Sequence, residues 1–380
     1  MQLLPSSFYP ATRPARWLRG LLLLALALLA GRSQAQTPVW LTAQAITSAT
    51  SNSLYAVQAT AVDPSTGRVY LSGIFTDQVA FGSTVLTSQG AYDVFVACYE
   101  PGPGTWAWAR RDGGPDYDAA NSIAVDGSGG VYITGYFTGS ATVAGQALSG
   151  QTVELLVAAY NAADGSPRWA RSGGGAGSDV GTGIATDGTG GVYVTGFFDQ
   201  NATIAGSLLQ GQGTDMVVAA YNATDGTPRW VRRDGGWGYD VGNDIATDGA
   251  GGVYVTGHIN TTATVAGQVL SGTANEVVVA AYTAADGSGR WARRDGGPNG
   301  DHGQAIAADG TGVYVTGTFY NTATIAGQEV GPRGHAVFTV FCNALGLPAA
   351  DLGELRGEAI RGRDRRSLDS HTLLQLLGDL

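Results

Sequence analysis

The chain has no lysine: all 21 basic residues among its 380 are arginine. Charged residues make up only 14%, against roughly 25% in an ordinary soluble domain. The balance is acidic, at −10. There is no basic face to neutralise phosphates, which excludes nucleic acid as a partner. The two cysteines, Cys98 and Cys342, are too few for a disulfide framework and read as isolated thiols. Four histidines, His258, His302, His335 and His371, fall at unrelated places. No nucleophile elbow, His-Glu-x-x-His, P-loop or Cys-x-x-Cys is present, so no catalytic residue can be assigned. No apolar run reaches the ~18 residues that a membrane-spanning helix needs.

What is present at the N-terminus reads as an export signal. Arg13, Arg16 and Arg19 precede a run of ten apolar residues, Leu21 to Ala30. Ser33-Gln34-Ala35 then supplies small residues at the two positions a signal peptidase inspects. The expectation is a signal peptide over 1–35 and an exported product, periplasmic, cell-surface or secreted, without an integral membrane segment. Loss of Arg13, Arg16, Arg19 and Arg32 takes the net charge from −10 to −14.

The other abundance is glycine, at 59 residues. Glycine at this level argues against helices, where each interior Gly costs about 1 kcal/mol. The glycines belong to repeats. A block ending Val-Tyr-Val/Ile-Thr-Gly carries its first Val at 131, 192, 253 and 313, and a divergent first copy spans 61–73. Val-Val-Ala-Ala-Tyr ends at Tyr160, Tyr221 and Tyr282, with variants ending at Tyr99 and Phe341. A third block starts at Trp108, Trp169, Trp230 and Trp291. Each unit of ~61 residues thus holds four short segments rich in Val, Tyr, Thr and Trp, joined by Asp-Gly turns that demand antiparallel hairpins. The long connection between segments two and three, as in 197–214, predicts a small extra hairpin over 202–209. Repeated four-stranded units of this kind predict an all-β, β-propeller fold of about five blades. A β-solenoid is the alternative, disfavoured because its strands stack in parallel.

The run Gly-Ile-Ala-Thr-Asp-Gly-Thr-Gly-Gly-Val-Tyr-Val-Thr-Gly-Phe-Phe over 183–198, with the Ala-Thr-Ile-Ala-Gly, Val-Val-Ala-Ala-Tyr and Arg-Trp-Val-Arg blocks that follow it, resembles the bacterial β-propeller repeat family of the SBBP type. The resemblance covers about 38–343. It implies an exported or surface-associated propeller and supplies no catalytic motif. The domains expected are a propeller over 36–343, with units near 40–107, 108–168, 169–229, 230–290 and 291–343, and an atypical tail over 344–380. The tail is Leu-rich, with no aromatic residue. It reads either as a truncated or frameshifted end or as a short C-terminal helix. The fifth unit lacks a fourth segment, and Val39-Trp40-Leu41 has no unit of its own; the Trp40 strand could therefore close the ring.

Three carboxylate sets recur with the repeat: Asp118, Asp179, Asp240 and Asp301; Asp126, Asp187, Asp248 and Asp309; and Asp93, Glu154, Asp215 and Glu276. Catalytic carboxylates form one asymmetric pair. Fourfold repetition instead implies structural acceptors for backbone N–H groups. The alternative is a Ca²⁺ site at Asp118, Asp179, Asp240 and Asp301, but Ca²⁺ takes six to eight oxygens and each loop offers one carboxylate. The expected cofactor is therefore none, with Ca²⁺ the alternative. Paired arginines such as Arg110-Arg111 read as blade-to-blade ion pairs and solvated edges. The repeated tryptophans read as packing between blades.

Function is sought where the copies differ. The connection between segment four and the next segment one reads Pro-Asp-Tyr117, Ala-Gly-Ser178, Trp237-Gly-Tyr239 and Pro-Asn-Gly300. It should emerge on the same face as the long two-to-three connection. Tyr117, Trp237 and Tyr239 are then the binding-face candidates, with glycans or proteins as ligands. The reading is a non-catalytic exported module for binding or scaffolding. The alternatives are an exported glycan-active enzyme on a propeller and a non-functional remnant of a longer surface protein. Nothing in the sequence fixes an oligomeric state.

Overall fold

The structure, a computed structural model, describes residues 45–48, 54–330 and 335–343. These are strands joined by turns, without a helix among the described residues. Blade one runs Tyr55–Val62, Val69–Phe75, Asp93–Glu100 and Thr105–Asp112. Blade two runs Ala119–Val125, Gly130–Val143, Gln146–Asn161 and Pro167–Gly175. Blade three runs Asp179–Thr186, Gly191–Ile204, Ser207–Asn222 and Pro228–Gly236. Blade four runs Val241–Thr247, Gly252–Asn260, Asn275–Thr283 and Gly289–Asp295. Blade five has three described strands, His302–Ala308, Gly312–Tyr320 and His335–Asn343. Each is an antiparallel meander in chain order, and the first strands of successive blades stand side by side. The chain is a β-propeller, as the repeats predict.

The turn between strands one and two shows why Asp-Gly recurs. Asp187 accepts the Thr189 and Gly191 N–H groups on Oδ1, at 2.8 and 2.9 Å, and the Tyr193 hydroxyl on Oδ2 at 2.8 Å. Gly188 and Gly190 sit at φ 68° and 110°, a region open to glycine without strain. Asp126 with Tyr132 and Asp248 with Tyr254 repeat the arrangement. Burial opposes ionisation of these carboxyls, yet the donors outweigh it and hold all three below the ordinary carboxylate value.

The extra hairpin explains the length of the repeat. Its strands extend strands two and three, and its outer edge pairs with the end of strand four in the preceding blade. Gly174 and Gly175 pair with Thr203 and Ala202, and Gly235 and Gly236 with Thr264 and Ala263. Single bridges Gly113–Thr142 and Gly296–Thr324 do the same at the other two joints. Apolar cores then fill each joint, for example Tyr132, Leu155 and Trp169 of blade two against Ile184, Val192 and Ile204 of blade three. The tryptophans span the joints: Trp108, Trp169 and Trp230 donate from Nε1 to the carbonyls of Ala162, Ala223 and Ala284 in the next blade, at 2.9–3.1 Å.

The arginines differ from the ion pairs expected between blades. Arg110 and Arg232, the first of their pairs, bind backbone carbonyls of the next blade, Arg232 at Gly287 and Asp286, both at 2.7 Å. The second stays in its own blade, pairing with the carboxylate on strand three: Arg111 with Asp93, Arg233 with Asp215 and Arg294 with Glu276. Planar guanidinium groups suit carbonyl acceptors of a turn as well as carboxylates.

Blade one differs at its leading edge. At the place of Gly181, Gly242 and Gly303 stands Val57, which is exposed. Those glycines admit the Thr134, Thr195 and Thr256 hydroxyls of the preceding blade at about 2 Å from where a Cβ would lie. Blade one's hairpin, Gln78–Phe81 and Thr84–Thr87, is met instead by Thr47–Ser48, which pair with Ala80 and Val79. Thr47 and Ser48 thus occupy the place that strand-four glycines take elsewhere, and Ile46 packs on the core of Phe75, Val79, Phe81 and Phe95. Deleting residues 36–48 is expected to lower stability by about 1–3 kcal/mol, the worth of one buried aliphatic chain and its strand contacts. An unchanged melting temperature would count against this role. The expected signal peptide, the Trp40 strand and the tail over 344–380 lie outside the described residues.

Candidate functional site

The connections from strand four to the next strand one, and from strand two to strand three, emerge on one face of the propeller. Short parallel bridges join them: Tyr92 with Tyr117, Val153 with Ser178, and Thr214 with Tyr239. The turn rests on the first carboxylate set. Asp240 accepts the N–H groups of Gly236 and Asn260, both at 2.7 Å, and Asp301 those of Gly297 and Tyr320, at 2.6 and 2.9 Å. Asp118 accepts Gly114 at 2.6 Å, and Asp179 accepts Gly175 at 2.7 Å. All four are buried. Each fastens its loop to the blade, which is the work of a backbone acceptor. Burial, set against those donors, pushes Asp118 up to about 6 and Asp179 up to about 7. Among the described residues no group of three or more His, Cys, Asp or Glu side chains is placed to hold a metal.

The loop-borne aromatics stand out from this base. Trp237 is 81% exposed, Tyr117 53% and Tyr239 49%. Exposed aromatics on fastened loops form an amphipathic contact surface with little entropy to lose on binding. Trp237 and Tyr239 share the loop between blades three and four. Tyr117 lies on the loop between blades one and two, against Tyr92 at 5.4 Å between ring centroids. Around Tyr239 the rings continue: Phe197 at 6.2 Å, then His258, stacked at 5.7 Å, then His302, edge-on to His258 at 4.4 Å. His258 is 6% exposed. Burial, with the neighbouring His302, lowers its pKa to about 4 and keeps it neutral.

The histidine pair is what reading the repeats by residue type misses. His258 follows Gly257 on strand two, and His302 follows Asp301 on strand one, so the two hold different repeat positions. The register brings those positions together: Val241 pairs with His258 within blade four, and His302 takes Val241's place one blade on. Writing both positions onto two adjacent blades would have exposed the contact. Cys98 is a buried free thiol on strand three of blade one, and burial pushes it up to about 11.

Residues 107–139 match the SBBP family model, a beta-propeller repeat. No curated protein matches the chain. Among solved structures, the quinohemoprotein alcohol dehydrogenase from Comamonas testosteroni is similar at 11% identity and TM-score 0.38, over 76% of this chain and 48% of that one. BamB from Moraxella catarrhalis is similar at 10% identity and TM-score 0.29, over 80% of this chain and 90% of that one. A europium-containing methanol dehydrogenase is similar at 11% identity and TM-score 0.27, over 77% and 65%. The chain spans about half the length of the Comamonas enzyme. Likenesses this loose carry no argument about activity.

Proposed function

We propose that this chain, a β-propeller carrying the SBBP repeat, is an exported, non-catalytic binding module that takes glycans or protein surfaces on its loop face. The observation that carries the reading is the set of three exposed aromatics, Tyr117, Trp237 and Tyr239, on loops that the buried Asp118 and Asp240 fasten. Aromatic faces recognise the apolar face of a sugar ring or an apolar side chain, and the acidic surface resists phosphate-bearing partners. The signal-like residues 1–35 support a place of work outside the cytoplasm. Among the described residues, no helix is long and apolar enough to cross a membrane.

Glycan-array screening of the purified chain tests the reading. Binding is expected, and the combined Tyr117→Ala, Trp237→Ala and Tyr239→Ala variant is expected to lose at least about tenfold in affinity, with Trp237 the largest single contributor. The melting temperature should stay near that of the parent, because the three side chains are about half exposed or more. Undiminished binding by the triple variant would remove the loop face as the site.

A further inference from the structure

The structure assigns a second role to the same face, one that depends neither on the exposed aromatics nor on what they bind. We propose that His258 and His302 form a site for one divalent transition ion of the kind imidazole prefers, Zn²⁺, Ni²⁺ or Cu²⁺, with water completing its coordination. Three observations carry it. The two rings come from adjacent blades and meet edge-on at 4.4 Å between centroids. A shared ion would take one nitrogen of each ring at the ~2.0–2.1 Å of a zinc–imidazole bond. Neither Nδ1 nor Nε2 of His258 has a hydrogen-bond partner among the described residues, although both are buried. A buried polar group without a partner costs free energy and calls for an explanation, and an ion is one of the few that apply.

The third observation is the break in repeat symmetry. The position of His258 holds Ile74, Tyr136, Phe197 and Thr318 in the other blades, and that of His302 holds Ala56, Ala119, Val180 and Val241. An apolar or uncharged residue satisfies the fold at either place, so packing alone does not require a histidine at both. Access exists as well. Gly300 lies beside His302 Nε2, where a Cβ would stand 3.6 Å from that nitrogen, so this position of the loop puts no side chain against it. Two protein ligands leave coordination positions for water, which distinguishes the arrangement from a closed structural zinc site.

The test is titration of the full chain with ZnCl2 and NiCl2 by calorimetry and thermal unfolding, with CaCl2 as comparator. One Zn²⁺ or Ni²⁺ per chain is expected, with a rise in melting temperature of roughly 3 °C or more near saturation; Ca²⁺ should give neither. His258→Phe and His302→Val each install the residue of a neighbouring blade, Phe197 and Val241, and should keep the ion-free melting temperature. Both should abolish binding, whereas His371→Ala should leave it intact. Absence of binding by the parent, or undiminished binding by either variant, would overturn the proposal. Should one variant unfold, imidazole NMR signals of the parent decide: His258 and His302 must shift together on adding Zn²⁺. Response by His335 and His371 alone would refute the site.

Discussion

Asp234→Ala is expected to cost the fold about 3–5 kcal/mol. Asp234 lies near the end of strand four in blade three and is 5% exposed. Its Oδ2 accepts the hydroxyl of Tyr282 from strand three of blade four at 2.8 Å, and its Oδ1 accepts the Ala266 N–H at 2.7 Å. Ala266 opens the hairpin turn at φ 49°, a left-handed conformation that costs a residue with a Cβ about 1–2 kcal/mol. One carboxylate therefore ties together an outer strand, a buried phenol and a strained turn. Its loss orphans a wholly buried hydroxyl and a backbone N–H, each worth about 1–3 kcal/mol. Tyr282→Phe removes only the hydroxyl and should cost about 1 kcal/mol. Denaturant unfolding of the two variants checks the contrast; a loss under 1 kcal/mol for Asp234→Ala would refute the account.

The same residue carries a pH dependence of definite sign. Burial pushes Asp234 up to about 6, against the lowering by Tyr282, Ala266 and the nearby arginines. Its folded value lies above the ordinary carboxylate value, so the folded state binds the proton more tightly. This group's contribution to stability therefore falls as pH rises from about 4 to about 6. Asp234→Asn keeps an acceptor and removes the titration, so its stability relative to the parent should improve over that window.

The fold was legible because its determinants are local and repeated. Asp187-Gly-Thr-Gly-Gly191 dictates a hairpin by itself, and four copies leave one architecture. Tyr117, Trp237 and Tyr239 were legible as loop residues for the same reason, since variation between copies marks the connections. The hairpin's partner was not legible. Nothing in Ala-Thr-Ile-Ala-Gly says that its edge pairs with the preceding blade's Gly174 and Gly175, a contact fixed by how blades pack. The two arginine roles were hidden similarly, because a carbonyl acceptor such as that of Gly287 has no sequence signature. His258 and His302, 44 residues apart, meet through strand register and blade stacking together.

Ser172→Arg is expected to stabilise the protein by about 1–2 kcal/mol at pH 8 and by progressively less toward pH 4. Three blades neutralise the strand-three carboxylate with an arginine on strand four: Arg111 for Asp93, Arg233 for Asp215 and Arg294 for Glu276. Blade two has Ser172 at that position, paired in register with Leu156 as Arg233 is with Val217 one place off the carboxylate side, and Ser172 is exposed. Glu154 is left beside Asp179 without the guanidinium. A Cβ on Gly174 would lie 2.1 Å from Glu154 Oε2 and 2.5 Å from Asp179 Oδ2, so the two carboxyls share one small space. Asp179 Oδ1 is buried without a hydrogen-bond partner among the described residues. Burial first, then the charge of Glu154, drives Asp179 up to about 7. Its folded value exceeds the ordinary one, so stability falls as pH rises from about 4 to 7 and stays low above that. An arginine at 172 supplies the missing positive charge to a pair that is already desolvated, which favours the ionised form of Asp179. The gain should therefore appear only where Asp179 is ionised. Glu154→Gln, which removes the repulsion without adding a cation, should flatten the same part of the profile. Equal stabilisation by Ser172→Arg at pH 4 and pH 8 would mean that the arginine acts through packing and not through this pair.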